Sequence, residues 1–423
     1  MESIKDLYRI GYGPSSSHTM GPRRAAERFR QEHPGAHAFR VTLFGSLAAT
    51  GKGHMTDVAI TQALLPFPVE IVWEPRRELP FHPNGMQFEA MDETGASASA
   101  WVAYSIGGGA ILGEGEQPGL QPVYSLTSMR DILKHCTQHG MAFWEYVEAC
   151  EGPEIWEHLA RVRQVMRAAI DRGIHAEGVL PGGLGVARRA WMFYRKVRLS
   201  GPTLVQPEGL LPAYALAVAE ENAAGGEIVT APTCGSCGVL PAVLRHLQDN
   251  IDCHEETMLR ALATAGLVGN LIKYNASISG ARVGCQGEIG AACAMASAAA
   301  AQLLGGTIRQ VEYAAEMGLE HHLGLTCDPV DGLVQIPCIE RNVFAATRAL
   351  NCANFANFSD GSHRVSFDEV VEVMKQTGHD LPSLYRETAS GGLAKAYRFP
   401  PQDKAGRAMP AAQNDSRKAS KKQ

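Results

Sequence analysis

The spacing of apolar residues changes near residue 128, and that change limits the folds open to the chain. Before it, apolar and polar residues alternate. "AFRVTLF" (38–44) sets Phe39, Val41 and Leu43 against Arg40 and Thr42, the period of a half-buried strand. "VEIVWE" (69–74) and "MQFEAMD" (86–92) read the same way, and "ETGAS" turns into a further apolar segment, "ASAWVAYSIGGGAIL". Helical stretches near 20–32 and 56–65 lie between the strands. After "PVYSLTSMRDILKHC" the spacing is helical almost throughout: 128–150, 153–172, 210–224, 238–249, 255–275, 288–304, 308–318, 338–355 and 367–377. The expected class is α+β, with a small α/β domain over 1–125 followed by a large, mostly α-helical domain over 128–398. The tail 400–423 is polar and Lys-rich and is expected to be disordered. No internal repeat is present.

Composition narrows the function classes. With 45% apolar and 20% charged residues, the chain is globular rather than disordered. A net charge of −5 gives no argument for nucleic acid or an acidic membrane surface. The apolar run "AACAMASAAAAQLLGG" (291–306) is too short and too rich in Ala and Gly to span a bilayer, so it reads as a buried, closely packed helix. The opening "MESIKDLYRIGYG" has no basic region followed by an apolar core, so no secretory leader is expected. Ten cysteines in such a chain read as reduced thiols or metal ligands, and a cytoplasmic location follows.

Several loops carry chemistry. In "GPSSSHTMGP" (13–22), Pro22 suits the first turn of a helix, with a hydroxyl residue capping just before it. A helix N-terminus with serine hydroxyls would hold a small carboxylate or phosphate, and His18 would stand beside it as acid or base. Taken alone, the same text also fits an ordinary serine cap with an exposed histidine. "GSLAATGKGHMTDVAI" (45–60) repeats the design, with His54 in a Gly-rich loop and Thr56 or Asp57 as the cap. "FHPNGM" (81–86) is a third polar loop, where Asn84-Gly85 also reads as a plain turn. "APTCGSCG" holds Cys234-x-x-Cys237, the spacing of a dithiol pair or half a zinc site, or simply a tight loop of small residues. Cys285, Cys327 and Cys338 each sit in a Gly- or Pro-marked loop. They read either as soft-metal ligands or as buried structural cysteines. His321 and His322 are adjacent and point to different helix faces, so they are no chelate.

Taken together, "GPSSSHT" (13–19), "FGSLAATGKGHMTD" (44–57), "FHPNGM", "APTCGSCGVLPAVL" (231–244), "NASISGARVGCQGEIG" (275–290), "EHHLGLTCDPVDGLVQIPCIERN" (320–342) and "YRETASGGLA" (385–394) resemble the iron–sulfur-dependent L-serine dehydratases in their single-chain form. The likeness runs over nearly all of residues 1–394. It implies a [4Fe–4S] cluster on Cys285, Cys327 and Cys338, with no pyridoxal phosphate. It implies catalytic roles for His18 and His54, the reading leaning to His54 as the base with His18 orienting substrate. Substrate contacts would come from Ser15, Ser16, Ser17, Thr19, Asn84 and Thr233. The implied reaction is loss of water from L-serine, giving pyruvate and ammonia, in amino-acid degradation and gluconeogenesis. The implied partners are the small-molecule substrate and a second copy in a homodimer, with neither nucleic acid nor membrane.

Two departures stand out. Relatives often end soon after "GGLA" in a cysteine able to take the fourth iron position, whereas no cysteine follows Cys352 here. Cys234 stands where some relatives carry Asn or Ala, so the Cys234/Cys237 loop reads as pocket lining and not as a ligand. The same chemistry on L-threonine or L-cysteine, a non-catalytic iron–sulfur sensor, and a dithiol oxidoreductase are the competing readings.

Overall fold

A computed structural model describes residues 1–116, 122–200 and 209–398. The expected disordered tail lies outside the described residues. The class is α+β, as the two spacings require.

Among the described residues, seven strands form two sheets. β1 (Ile10–Tyr12) pairs antiparallel with β7 (Glu227–Val229). The other five, β2 (Ala38–Phe44), β3 (Val69–Glu74), β4 (Gly85–Met91), β5 (Ser97–Gly107) and β6 (Ala110–Gly113), form one sheet in the order β3-β2-β4-β5-β6. Only the β2–β3 pair is parallel, so the chain must cross over between them. It does so through the helices Gly45–Thr50 and Thr56–Leu64. The alternation in β2 buries Phe39, Val41 and Leu43. They pack with Ala25, Ala26 and Phe29 of the helix Gly21–Glu32 and with Ile60, Ala63 and Leu64 of the helix Thr56–Leu64.

The helical part surrounds one helix, Ile289–Leu303, buried on every face from Ile289 to Ala301. Its alanines admit close neighbours: the helices Val239–Asn250, Glu255–Asn275, Ile308–Glu320 and Cys338–Phe358 all pack against it. At one crossing, a Cβ on Gly318 would lie 2.9 Å from the Ala294 Cα, so glycine sets the approach of the two helices. The stretch expected as one helix over 128–150 is two, Met129–His139 and Phe143–Glu151. Gly140 takes φ 65° and ends the first. No described helix is long and apolar enough to cross a membrane.

The first residues belong to the larger core. Met1, Ile4, Leu7 and Tyr8 join the helical cluster, and the Tyr8 hydroxyl donates to the Leu262 carbonyl at 2.9 Å. The segment after β1 is then fixed against the helical part, because Asn222 Nδ2 donates to the Pro14 carbonyl at 2.9 Å. Ser15 and the turn that follows therefore emerge where the two parts of the molecule meet.

Candidate active site

The turn is not an ordinary helix cap. Ser16–Met20 form one π-helical turn that runs directly into the helix Gly21–Glu32. Pro22 does lie in the first turn of that helix, but the preceding Met20 makes no side-chain cap. Ser15 caps the π turn instead, its Oγ accepting from the His18 N–H at 3.1 Å. Likewise, Thr56 and Asp57 do not cap the helix Thr56–Leu64, which opens from Met55 in a left-handed conformation. The Thr56 hydroxyl donates to the His18 carbonyl at 2.6 Å, and the Thr19 hydroxyl donates to the His54 carbonyl at 2.7 Å. These two bonds lace the serine turn to the Gly-rich loop.

The lacing brings His18 and His54 together, ring centroids 4.6 Å apart. Both are almost fully buried. Burial pushes His18 down to about 4, aided by nearby His82, and pushes His54 well below its ordinary value, aided by His18. Both are neutral near pH 7. The hydrogen-bond pattern assigns the tautomer of His54. The Thr50 hydroxyl donates to the Ser46 carbonyl at 2.9 Å, so at 3.2 Å it can only accept from His54 Nδ1–H. His54 Nε2 is left as a bare lone pair. On His18 both nitrogens are engaged, Nδ1 with Ser17 Oγ at 2.9 Å and Nε2 with Ser46 Oγ at 3.1 Å.

Keeping His18 neutral has a stability consequence. Its folded value lies below its unfolded one, so stability is present above about pH 6.5 and lost as pH falls towards 4. The shift corresponds to about 3 kcal/mol. Thermal unfolding followed from pH 7 to 4 should show this decline, and His18→Gln should flatten it. An unchanged slope in the variant would rule out His18 as a source.

Polar atoms without partners surround the pair. Ser16 makes no side-chain hydrogen bond among the described residues, although Ser15, Ser17 and Thr19 do. Asn84 is buried, donates from Nδ2 to the Ser105 carbonyl at 3.4 Å, and has no partner for Oδ1. Its backbone N–H donates to His82 Nδ1 at 3.1 Å, which fixes its loop beside His18.

The helical part contributes the thiols. Cys285 opens a 3₁₀ turn, Cys327 lies in a segment without regular secondary structure, and Cys338 begins the helix Cys338–Phe358. Ligand atoms of Cys285, Cys327 and Glu288 lie within 4.8 Å of one another. Cys327 Sγ donates to Glu288 Oε2 at 3.8 Å. The neighbouring Cys327 pulls Cys285 down against its burial, with the Arg341 guanidinium assisting. Cys285, then burial, pushes Cys327 up. Cys338 is pushed up by burial and by the neighbouring Cys285. Thr233 reaches this group, its Oγ1 donating to Glu288 Oε1 at 2.7 Å. The histidines and hydroxyls thus form one group, and Cys285, Cys327 and Glu288 a second, with Cys338 beside Cys285 but outside that 4.8 Å group.

Glu387 joins the groups. Ser17 Oγ donates to its Oε1 at 3.2 Å, and His18 Nδ1 lies 3.5 Å from the same oxygen. Its other oxygen is buried without a partner. Burial raises Glu387 to about 7, and Glu288 is raised to about 7 by burial and by Glu387. The segment that bears Glu387 straps over Cys327: Cys327 N–H donates to the Tyr385 carbonyl at 2.8 Å, and Thr388 N–H to the Cys327 carbonyl at 3.2 Å. Glu387 itself takes φ 46°, unusual for a side chain of its size. Glu387, Glu288, Ser46, His82 and Arg341 were not among the residues expected from sequence, though each falls within one of the quoted blocks.

Cys234 and Cys237 make no reactive pair. Burial pushes both thiols up, the opposite of an activated dithiol, and Cys234 Sγ packs 3.7 Å from Met20 Sδ. The loop meets the site through Thr233. A larger groove of about 820 Å³, flanked by Phe344, Arg348 and Phe355, shares no residue with this site.

Comparison with known proteins gives two family matches. A family described as serine dehydratase alpha chain matches residues 89–394, and one described as serine dehydratase beta chain matches residues 3–69. An L-serine dehydratase of Streptomyces coelicolor is 43% identical over 446 residues, covering 93% of this chain and 98% of the relative. One from Haemophilus influenzae is 41% identical over 450 residues, covering 93% and 99%. L-serine dehydratase 2 of Escherichia coli is 42% identical over 449 residues, covering 93% and 98%.

Proposed function

The chain belongs to the serine dehydratase family of the iron–sulfur type, and from that premise we propose that it is a lyase converting L-serine to pyruvate and ammonia at the site between its two parts. The observation that carries this reading is the convergence of a neutral His18–His54 pair with Cys285, Cys327 and Glu288, joined through Glu387, with Cys338 beside Cys285.

The donor set fits the cofactor. Soft sulfur ligands suit iron–sulfur centres, and a nearby guanidinium offsets their negative charge. A side chain at Gly280 would intrude, its Cβ 3.1 Å from Cys327 Sγ and 2.8 Å from Glu288 Oε2, so the backbone leaves the sulfur face clear. Cys285, Cys327 and Cys338 would hold a [4Fe–4S] cluster. Bound there, it would supply Lewis-acid activation of the substrate hydroxyl, a poor leaving group.

The protein's own groups account for the other half of the reaction. The Ser16 hydroxyl and Asn84, whose hydrogen-bonding capacity is not used up, support a role in holding the substrate carboxylate. Ser15, Ser17 and Thr19 shape the turn, and Thr19 also ties it to the His54 loop. The free lone pair on His54 Nε2 supports His54 as the base that takes the α-proton, with Thr50 fixing its tautomer. His18, bonded at both nitrogens, orients substrate, and Glu387 holds His18 through Ser17. Thr233 positions Glu288 beside the thiols.

Anaerobically purified protein should release pyruvate from L-serine. Parallel assays with L-threonine and L-cysteine measure the preference among substrates. Cluster-loaded protein that makes no pyruvate would sink the reading in favour of a non-catalytic iron–sulfur protein. Thr50→Val removes the acceptor for His54 Nδ1–H, and kcat should fall about 10- to 100-fold, consistent with partial loss of a general base. KM should change little, because Thr50 does not face the carboxylate. An unchanged kcat would discard the tautomer assignment.

A further inference from the structure

A second cleft lies behind the serine turn and takes no part in the chemistry above. It is a cavity of about 480 Å³ between the N-terminal segment, β1 and the helix Gly21–Glu32. Lys5, Arg9, Arg23 and Arg24 line it, against Asp6 and Glu27 as the acidic groups. The two acids pair with two of the four cations. Arg23 is paired with Glu27 at 3.0 Å, and Arg9 with the half-exposed Asp6 at 3.0 Å. Arg24 bonds only the Gly109 carbonyl, at 3.0 Å, and Lys5 has no side-chain partner among the described residues. Arg9 is held in place by the Gly108 carbonyl at 2.7 Å. Two uncompensated cations in one cleft call for an anion with several acceptor oxygens.

We propose that this cleft is an effector site for a small polyanion of the phosphate or carboxylate class. Lys5 and Arg24 supply the charge, and Arg9 supplies a fixed guanidinium. The site is coupled to the chemistry through Met20. That residue lines the cleft, ends the π turn carrying Ser16 to Thr19, and packs against Cys234. A Cβ on Gly11 would lie 2.8 Å from Met20 Cε, so β1 packs closely on the Met20 side chain. An anion that draws Arg24 towards the fixed Arg9 moves the start of the helix Gly21–Glu32, and with it the turn that carries His18.

The test uses the holoenzyme and two probes, inorganic phosphate and citrate, titrated at constant ionic strength against sodium chloride. One probe should bind saturably by calorimetry and raise the thermal midpoint. Arg24→Gln, at an exposed helical position, should fold normally and weaken binding about tenfold or more, as expected for a charged hydrogen bond. Lys5→Gln should weaken it similarly. Arg30→Gln, on the same helix but bonded to the Leu65 carbonyl, should bind like the unaltered protein. Saturation by phosphate alone assigns the phosphate class, and by citrate alone the carboxylate class. The bound probe should change KM for L-serine at least twofold, and Arg24→Gln should abolish that change. Responses that track ionic strength alone, or are equal in Arg24→Gln, would overturn the site. Saturable binding with KM unchanged would overturn its effector role.

Discussion

Cys285→Ser, Cys327→Ser and Cys338→Ser are each expected to eliminate iron and sulfide binding, and with it pyruvate formation from L-serine. The thiols come from three separate loops, and each loop is held by contacts that do not involve the sulfur. Cys285 sits in a turn closed by the Glu288 N–H to Cys285 carbonyl bond, Cys327 lies under the strap from Tyr385 to Thr388, and Cys338 begins a long packed helix. A serine should therefore be accommodated without unfolding, so loss of iron would report the ligand and not the fold. The hydroxyl is a poor substitute, because it is harder than a thiolate and does not ionise near neutral pH. Cys253→Ser, at a half-buried position outside the site, should keep both iron and activity. Iron and acid-labile sulfide content, with visible absorbance, give a readout independent of turnover. Full iron content in any one of the three variants would remove that residue from the ligand set.

What the sequence made legible follows from how local each signal is. The helices 255–275 and 308–318 were readable because their apolar spacing is set by the faces they bury, and the observed helices Glu255–Asn275 and Ile308–Glu320 begin at the expected residues. The helix Ala190–Ser200 is not marked in this way. Trp191, Met192, Phe193 and Tyr194 run consecutively, and a run of large apolar residues has no period. β7 is three residues long, too short to alternate, and exists because β1 comes to pair with it. The same distinction governs the site. His18 and His54 stand out in Gly- and Ser-rich loops. Glu387 does not, since its role rests on Ser17 and His18, 370 residues from Ser17 in the chain. The π turn was legible as a helix start but not as a π turn, because its shape depends on hydrogen bonds from Thr19 and Thr56 to and from the second loop.

His54→Ala should lower kcat by about 10²–10⁴-fold, the range a general base contributes, while cluster content stays normal. The thiols and this histidine belong to different parts of the chain, so removing the imidazole leaves the sulfur ligands untouched. His18→Ala should also reduce turnover, but in a different way. Its two nitrogens are bonded to Ser17 and Ser46, so its loss should loosen the serine turn and raise KM as well as lower kcat. Exchange of the substrate α-hydrogen with deuterated solvent separates the two roles. His54→Ala should show no exchange, because nothing remains to take the proton. His18→Ala should still exchange slowly, because the base survives. The acid limb of the pH profile gives a second discriminant. A base buried as deeply as His54 protonates well below 6.5, so kcat should hold at mildly acidic pH where an exposed histidine would already have failed. Exchange retained in His54→Ala but absent in His18→Ala would reverse the assignment, making His18 the base and leaving His54 to hold the serine turn in place.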